Sequence, residues 1–433
     1  MRMHQNNNLS RQRDAHISLD ATLSPHHNSW NTCTKRGCPM PISEDISTMI
    51  DQTSWIRKMF EEGARRKQQF GADKVFDFSI GNPVFEPPAE VQEALIQLAR
   101  DSTPGTHRYM PNPGYPETRN FMADTIAAES GKPFEMADII MTCGAGGALN
   151  VVLRTLLNPG DEVIIIKPFF VDYINYISNY SGVAKPVESK KDFSLDINAI
   201  KATLSDKTRA MILNSPHNPT GIVYNAGSVD ALGTILKEHS EKIGTPVSLI
   251  SDEPYRYISY EVEVPWICNH YASSIIVNSF SKDLALPGER IGYIAISPEH
   301  EDRAMLQSGL VISLRILGFV NAPAMMQRLL PLAGKAKIDT APYRKNRDLL
   351  YNHLRELNFS CIKPEGAFYL FPEAPIEDDL AFVRSAQELN LLLVPGSGFG
   401  APGYCRIAYC FDPDMIEHSL PVFTQLAEKF NMR

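Results

Sequence analysis

The stretch "IIVNSFSKDLALPGERIGYIA", residues 275–295, decides how the fold of this chain is interpreted. It begins with a β-branched apolar run that is typical of a buried strand. A lysine, Lys282, follows between polar residues, and an arginine, Arg290, comes eight positions later. A lysine just past a buried strand is either a solvated turn residue or a group placed for chemistry. The groups that follow the other strands decide between these two interpretations.

Strand-like and helix-like runs alternate from residue 75 to about residue 320. Amphipathic helices such as "PAEVQEALIQLARD" and "VDALGTILKEHSEKIG" separate short apolar runs. This alternation predicts an α/β fold with a mostly parallel central sheet flanked by helices, and the chain ends in a smaller α+β domain. The predicted strands are "VFDFSIG", "DIIMTC", "DEVIIIKP", "RAMILNSP", "VSLISDEP" and "IIVNSFSK".

Changes in composition divide the chain into four predicted parts. Residues 1–42 are rich in Asn, His, Ser and Arg without periodicity, which predicts a flexible extension. Residues 43–74 are predicted to form a helical arm that packs with the small domain. Residues 75–330 form the predicted large domain, and residues 331–433 form the predicted small one.

Composition excludes several classes of function. The chain has 433 residues, 43% of them hydrophobic, and a formal net charge of −8. An acidic protein is a poor partner for nucleic acid or for an anionic membrane. No stretch approaches the roughly 18 consecutive apolar residues of a membrane span, and the N-terminal residues lack the apolar core of a secretory signal. We therefore expect a cytoplasmic protein that binds neither membrane nor nucleic acid.

The seven cysteines are odd in number and scattered, which is not the pattern of a disulfide framework. Cys33 and Cys38 lie near His26 and His27, but their spacing is not that of a zinc site. We expect free thiols and no metal.

Polar groups follow the predicted strands at the edge where open parallel sheets bind ligands. The Gly-rich "CGAGGALN", residues 143–150, opens a helix whose free N–H groups suit a phosphate. A plain tight turn is the alternative, and a dinucleotide loop is disfavoured because Leu149 replaces its third glycine. Asp252 directly follows an apolar strand and needs a cationic partner there, such as a protonated heteroaromatic nitrogen.

The remaining strand ends add an amide, a phenol and a nucleophile. Asn218 lies in the rigid "NSPHNPTG", and Tyr255 lies in "SDEPY". Lys282 is placed to form a Schiff base with a carbonyl compound such as pyridoxal phosphate. Ser279, Ser281 and Arg290 supply hydroxyl and guanidinium groups suited to phosphate. Together these groups are typical of an enzyme that uses pyridoxal phosphate.

From about residue 75 to residue 430 the chain resembles the fold-type I pyridoxal phosphate enzymes, specifically the class I/II aminotransferases of the aspartate aminotransferase family. The resemblance implies that Lys282 binds the cofactor as a Schiff base and carries a proton during catalysis. Asp252 would pair with the pyridine nitrogen. Tyr255 and Asn218 would hydrogen-bond the phenolic oxygen of the ring.

The same resemblance assigns the other cofactor contacts. Phe170, in "KPFFVDY", matches an aromatic residue that stacks on the ring and is Trp in many relatives. Tyr109, in "HRYMPNPG", matches a tyrosine that reaches the cofactor phosphate of the neighbouring subunit, which implies a homodimer with shared active sites. The implied phosphate ligands within one chain are Ala145 and Gly146, through their backbone N–H groups, and the side chains of Ser279 and Arg290.

Substrate contacts are implied at both ends of the resemblance. Gly81, in "SIGNPVFEPP", would lie beside the α-carboxylate of the substrate, and Arg406, in "CRIAYC", would bind that carboxylate in a bidentate manner together with Asn218. The implied activity is transfer of an amino group between an L-amino acid and a 2-oxo acid such as 2-oxoglutarate, by a ping-pong mechanism in amino acid metabolism.

Three alternatives remain at this point. A lyase, a decarboxylase or an oxo-acyl synthase would use the same cofactor groups. A cofactor-binding regulator is less favoured because residues 1–42 are too short for a DNA-binding domain, and a nicotinamide dehydrogenase is disfavoured by the broken glycine pattern. The amino donor stays open, with Arg154, Arg108 and Arg315 as candidate ligands for a second carboxylate.

Overall fold

The structure is a computed structural model in which residues 41–432 are described. The chain divides into two compact units, Met1–Trp55 and Ile56–Arg433. The predicted flexible extension lies almost wholly outside the described residues, as do Cys33 and Cys38 with their neighbouring histidines. In the part that is described, no helix is long and apolar enough to cross a membrane.

The helices alternate with strands through most of the second unit. The helices are Glu44–Phe70 (α1), Ala89–Arg100 (α2), Pro116–Ser130 (α3), Gly144–Leu156 (α4), Asp172–Ser178 (α5), Ile197–Thr203 (α6), Ala226–Ile243 (α7), Phe280–Asp283 (α8), Arg303–Ile316 (α9), Ala324–Ala333 (α10), Ala341–Glu356 (α11), Asp379–Glu388 (α12) and Pro413–Lys429 (α13). The strands are Phe76–Asp77 (β1), Ile139–Thr142 (β2), Glu162–Lys167 (β3), Val183–Glu188 (β4), Thr208–Asn214 (β5), Ser248–Asp252 (β6), Ser274–Ser279 (β7), Gly292–Ile296 (β8), Tyr369–Leu370 (β9), Leu391–Leu392 (β10), Val394–Pro395 (β11) and Cys405–Ala408 (β12).

The central sheet has seven strands in the order β2-β8-β7-β6-β5-β3-β4. Neighbouring strands from β4 to β7 run parallel, and β8 runs antiparallel to both β7 and β2. Strands β5, β6 and β7 are almost wholly buried, as expected where helices cover both faces of a sheet. The predicted α/β fold with a mostly parallel sheet is therefore confirmed.

One predicted strand lies elsewhere. "VFDFSIG" forms only the two-residue β1, which pairs in parallel with β10 instead of joining the central sheet. Its ladder ends after Phe78, whose N–H donates to Leu392 O at 2.9 Å. The next carbonyl, that of Ser79, accepts a hydrogen bond from Arg406 instead. The apolar pattern of this segment suits a strand of the central sheet as well as a strand that pairs with β10. The sequence alone therefore does not distinguish these two placements.

The C-terminal region contains a three-stranded sheet in the order β11-β12-β9, with antiparallel pairing throughout. Helices α11 and α13 pack on each other, and a buried cluster that includes Phe359, Phe382 and Phe423 fills the space between helices and sheet. This is the predicted smaller α+β region. The second half of α1 contacts it through Arg66, which donates to Asn390 Oδ1 at 2.9 Å. The exact boundaries at residues 43–74, 75–330 and 331–433 stay predictions.

Arg347 on α11 is fully buried and ties the C-terminal region to the segment that follows β6. Its two terminal nitrogens each lie 2.7 Å from a carboxylate oxygen of Glu261, and Nη1 also donates to Pro364 O at 2.9 Å. The guanidinium stacks 4.4 Å from the ring centroid of Tyr260. A bidentate pair with a planar partner above it is specific for arginine.

We expect Arg347→Ala to lower the free energy of unfolding by about 3 kcal/mol, since it leaves a cavity and removes the donor to a buried carbonyl. Urea unfolding followed by circular dichroism measures the change. Arg344→Ala, on the exposed face of the same helix, is the matched control and should leave stability within about 0.5 kcal/mol of the parent. Equal effects of the two substitutions would contradict a structural role for Arg347.

Candidate active site

A cavity of about 390 Å³ opens at the carboxyl ends of β5, β6 and β7. Asn214 and Asp252 are register partners at the ends of β5 and β6, so both side chains reach this edge. All but one of the site residues predicted from the sequence line the cavity. These are Gly81, Ala145, Gly146, Phe170, Asn218, Asp252, Tyr255, Ser279, Lys282, Arg290 and Arg406.

Lys282 lies on the short helix α8, directly after β7. Its Nζ donates to Gly81 O at 2.6 Å and lies 5.4 Å from the ring centroid of Phe368. The pKa of Lys282 is lowered to about 8, mainly by burial; Cys410 opposes this shift, and the positive charges of Arg406 and Arg290 add to it. A lysine with such a pKa supplies a neutral, nucleophilic amine near neutral pH.

Asp252 is buried at the end of β6 with one oxygen unpaired. Its Oδ2 accepts a hydrogen bond from the hydroxyl of Tyr173 at 2.5 Å, whereas Oδ1 is buried without a partner. Burial raises the pKa of Asp252 to about 7, and the Tyr173 hydrogen bond partly offsets this effect. An unpaired buried carboxylate oxygen is costly, so this site favours a ligand that donates a proton to it.

The opposite end of the cavity is built for an anion. Gly144 begins α4 with a φ of 73°, and a Cβ there would lie 2.9 Å from the guanidinium of Arg290. Arg290 itself has a φ of 53° and lines the cavity together with Ser279 and the first turn of α4. The N–H groups of a first helical turn have no partner within the helix. These free N–H groups, the hydroxyl of Ser279 and the guanidinium of Arg290 together suit a phosphate.

Arg406 on β12 occupies the remaining side of the cavity. Its Nη2 donates to Ser79 O at 2.8 Å, and its Nη1 donates to Asn218 Oδ1 at 3.2 Å. The guanidinium stacks between two rings, 4.6 Å from the centroid of Tyr369 and 4.9 Å from that of Phe399. The planar group is thereby held in one orientation, as bidentate recognition of a carboxylate requires.

Gly81 approaches this region too closely for any side chain. A Cβ on Gly81 would lie 2.1 Å from the hydroxyl oxygen of Tyr369, which in turn lies 2.8 Å from the hydroxyl of Tyr255. Because Gly81 has no side chain, its carbonyl can accept the hydrogen bond from Lys282 while the hydroxyls of Tyr255 and Tyr369 stay in contact with each other. The predicted Gly81, Tyr255 and Lys282 are thus brought together by direct packing.

Three lining residues were not predicted from the sequence, Asn214, Tyr176 and Tyr369, and neither was Tyr173, which bonds to Asp252. Asn214 holds the predicted Asn218 in place, since its Oδ1 accepts from the Asn218 N–H at 2.7 Å and its Nδ2 donates to Asp252 O at 2.8 Å. Its position at the start of "NSPHNPTG" was a usable signal. Tyr173 and Tyr176 lie one helical turn apart on α5, and no feature of their own stretch distinguishes them from core tyrosines.

Four residues considered from the sequence do not line the cavity. Tyr109 is 89% exposed, and Arg108, Arg154 and Arg315 are exposed as well. The second carboxylate ligand considered for a dicarboxylate substrate is therefore not found among these arginines within one chain. Across residues 41–432 no group of three or more His, Cys, Asp or Glu side chains is arranged to hold a metal ion.

Comparison with known proteins decides which family has this arrangement. The family model described as "Aminotransferase class I and II" matches residues 73–422. This chain belongs to the class I and II aminotransferases. The "Probable aspartate aminotransferase" of Methanocaldococcus jannaschii is 32% identical over 366 residues, which cover 81% of this chain and 93% of that protein.

Solved structures of aminotransferases share the fold. An aminotransferase from Eubacterium rectale matches with a TM-score of 0.87 and 36% identity over 91% of this chain and 100% of that one. The aspartate aminotransferase of Thermus thermophilus, solved with maleate, matches with a TM-score of 0.77 and 26% identity over 86% of this chain and 96% of that one. The chain is a pyridoxal phosphate-dependent aminotransferase of fold type I, as the sequence predicted.

The residues of the cavity fit that cofactor. The unpaired Oδ1 of Asp252 is a buried acceptor suited to a protonated pyridine nitrogen. Gly144 has a φ of 73°, which favours glycine, and its Cα lies beside the Arg290 guanidinium, as expected where backbone must approach a phosphate closely. Lys282 lines the same cavity as Asp252 and Arg290.

We expect the rate at which Lys282 attaches to added pyridoxal phosphate to rise with pH up to about 8 in protein stripped of cofactor. Only the neutral amine reacts, and its fraction falls about tenfold for each pH unit below the pKa. Stopped-flow absorbance of the bound cofactor measures the rate. Lys282→Ala should show no covalent attachment at any pH, and a rate that still rises steeply above about pH 9 would contradict the lowered pKa.

Proposed function

We propose that this aminotransferase moves the amino group of L-aspartate to a 2-oxo acid such as 2-oxoglutarate by a ping-pong mechanism. The observation that carries the proposal is the position of Arg406, which faces the same cavity as Lys282 and Asp252 with its guanidinium held in one plane. A carboxylate bound there brings the α-carbon of an amino acid within the cavity that contains the lysine. Arg406 would bind the α-carboxylate that every amino acid carries, so the choice of aspartate as donor rests on the aspartate aminotransferase names of relatives.

The residues at one end of the cavity are proposed to hold the cofactor. Asp252 would keep the pyridine nitrogen protonated, while Tyr173 holds the carboxylate in position. Phe170, which packs edge-on to Tyr173 with centroids 5.5 Å apart, would cover the ring face. Pyridoxal phosphate supplies an electron sink for the bond that breaks at the amino acid. The proposed phosphate ligands are the backbone N–H groups of Ala145 and Gly146 and the side chains of Ser279 and Arg290.

Lys282 is proposed to move the proton. Its lowered pKa lets Nζ accept a proton from the α-carbon and return it later, since a base works best with a pKa near the working pH. Tyr255 and Asn218 would hydrogen-bond the phenolic oxygen, and Tyr255 is fixed by its contact with Tyr369. Gly81 positions the amine through its carbonyl. These contacts give each group one orientation before substrate arrives.

The choice between transfer and the alternative lyase or decarboxylase chemistry is tested by a single-turnover reaction. We expect L-aspartate alone to give one equivalent of 2-oxo acid and of pyridoxamine phosphate per site, measured by absorbance and by chromatography. Arg406→Ala should raise the KM for aspartate at least ~100-fold, because a charge-assisted bidentate contact is lost. Arg406→Lys should restore activity only in part.

The control for that experiment is Arg154→Ala, an exposed arginine outside the cavity, which should behave like the parent. Ammonia or carbon dioxide released in place of pyridoxamine phosphate would overturn the proposal in favour of the lyase or decarboxylase. A donor panel with glutamate, alanine and phenylalanine tests the substrate. A higher kcat/KM for any of these than for aspartate would overturn the choice of aspartate alone.

We also propose a homodimer in which Tyr109 of one protomer reaches the phosphate end of the other's cavity. At 89% exposure the ring is not buried within its own chain, which leaves it accessible to a second protomer. The acidic composition and the free thiols of the described cysteines support a cytoplasmic location, which cell fractionation would test.

Mixed dimers test whether the active sites are shared. Chains with Lys282→Ala and chains with Tyr109→Ala, each expected to be impaired alone, should recover about a quarter of the parental activity when co-expressed at limiting cofactor. The recovery arises because half of the dimers are hybrids, each with one intact site. Failure of the mixture to exceed the better single variant would show that Tyr109 acts within its own chain or not at all.

A further inference from the structure

A second cavity lies behind the helix that carries Lys282. It has a volume of about 320 Å³ and is lined by α3, α8, β8, the end of α10 and the segment that follows α10. We call it the back cavity. Helix α8 separates it from the active-site cavity, since Ser281 and Lys282 line one and Phe280 and Asp283 line the other. No role proposed above uses the back cavity.

Asp283 is the buried polar group of the back cavity. It is 6% exposed, and its Oδ1 is buried without a hydrogen-bond partner. Within the described part of the chain Asp283 forms no ion pair, and the nearby Lys337 lies 3.3 Å from a carboxylate oxygen of Glu129. A buried carboxylate oxygen without a donor costs stability, and a ligand that donates to it recovers that loss.

The walls of the back cavity are mainly apolar and aromatic. Leu284, Leu330 and Met122 are buried there, and four aromatic side chains join them: Phe121, Tyr257, Phe280 and Tyr293. The face of one ring already accepts a cation, since Lys337 Nζ lies 3.8 Å from the centroid of Tyr257. Exposed charged side chains also line the cavity: Asp124, Glu129, Lys335 and Lys337. Asp283 is the one buried carboxylate among the lining residues, and apolar walls with such a carboxylate select an apolar body with a positive charge.

We propose that the back cavity binds a small aromatic amine whose ammonium pairs with Asp283. The volume is at the lower end of that of small-molecule sites, which limits the ligand to about one ring with a short side chain. Because Asp283 and Lys282 are adjacent on a helix of four residues, an occupant of the back cavity contacts the helix that positions the catalytic amine. The site is therefore placed to regulate the enzyme without blocking its substrate.

The charge state of Asp283 predicts how binding depends on pH. Burial raises the pKa of Asp283 to about 7, while its own backbone and the following N–H, as well as Lys337, oppose that shift and Glu129 adds to it. Tyr257 and Tyr293 also face the cavity, and burial raises the pKa of both further above neutral, so they stay uncharged. The remaining charged groups that line the cavity, Asp124 on α3 and Lys335 after α10, are exposed. An ammonium ligand needs the carboxylate form, so its affinity should rise with pH through about 7.

The probe for this site is N,N-dimethyl-2-phenylethylamine, a tertiary amine that carries a positive charge but cannot condense with the cofactor. Calorimetric titration of the holoenzyme is expected to show one site per chain, with binding at least tenfold tighter than that of the neutral 2-phenylethanol. Asp283→Asn should weaken the amine at least tenfold and abolish the pH dependence. Asp206→Asn, an exposed acid that does not line the cavity, is the matched control and should leave binding unchanged.

A second variant separates the back cavity from the active site. Ala128→Phe, at an exposed position of α3 that lines the back cavity, narrows the cavity without altering Asp283 or the active-site lining, and it should weaken binding of the amine at least tenfold. Undiminished binding of the amine by Ala128→Phe, or equal affinity in the parent and in Asp283→Asn, would overturn the proposal. Absence of any binding up to about 10 mM would overturn it as well, since a built site should reach millimolar affinity.

Discussion

The rest of the active site depends on the burial of two ionisable groups, Asp252 and Lys282, at one edge of a parallel sheet. Burial raises the pKa of the carboxyl and lowers that of the amine, so both titrate near neutral pH. Water would remove both shifts, and therefore the strands that end at this edge must be covered by helices and by the C-terminal region. The same core that stabilises the fold thus sets the acidity on which proton transfer relies.

Contacts between segments that are far apart in the sequence hold Arg406 and Lys282 in place. Arg406 joins three segments through Ser79, Asn218 and the ring of Tyr369, and Gly81 joins the first of them to Lys282. Each contact uses a backbone carbonyl, an amide or an aromatic face, so no contact neutralises the charge of the arginine or the lysine. The charges stay available to a substrate while their directions are fixed.

The sequence was sufficient to predict the α/β fold and most of the cavity lining, because chemically distinct residues follow buried strands and such ends converge at one edge. It placed "VFDFSIG" in the wrong sheet, since an extended apolar run has the same pattern whichever strand it pairs with. The sequence did not indicate Tyr173 and Tyr369, because each acts through a hydrogen bond to a residue that is distant in the sequence, Asp252 and Tyr255 respectively. It did not name β4, whose exposed edge position gives it a mixed pattern, or the short antiparallel β8.

The position of Arg406 has a consequence for biosynthesis. The residues that suit the cofactor, from Gly144 to Arg290, are all translated before Arg406, which lies on the last strand of the chain described. A nascent chain can therefore complete its central sheet and phosphate turn while the carboxylate end of the cavity is still missing. The residues that suit the cofactor and the residue that binds the substrate carboxylate are thus synthesised at separate moments, and the C-terminal region then covers both.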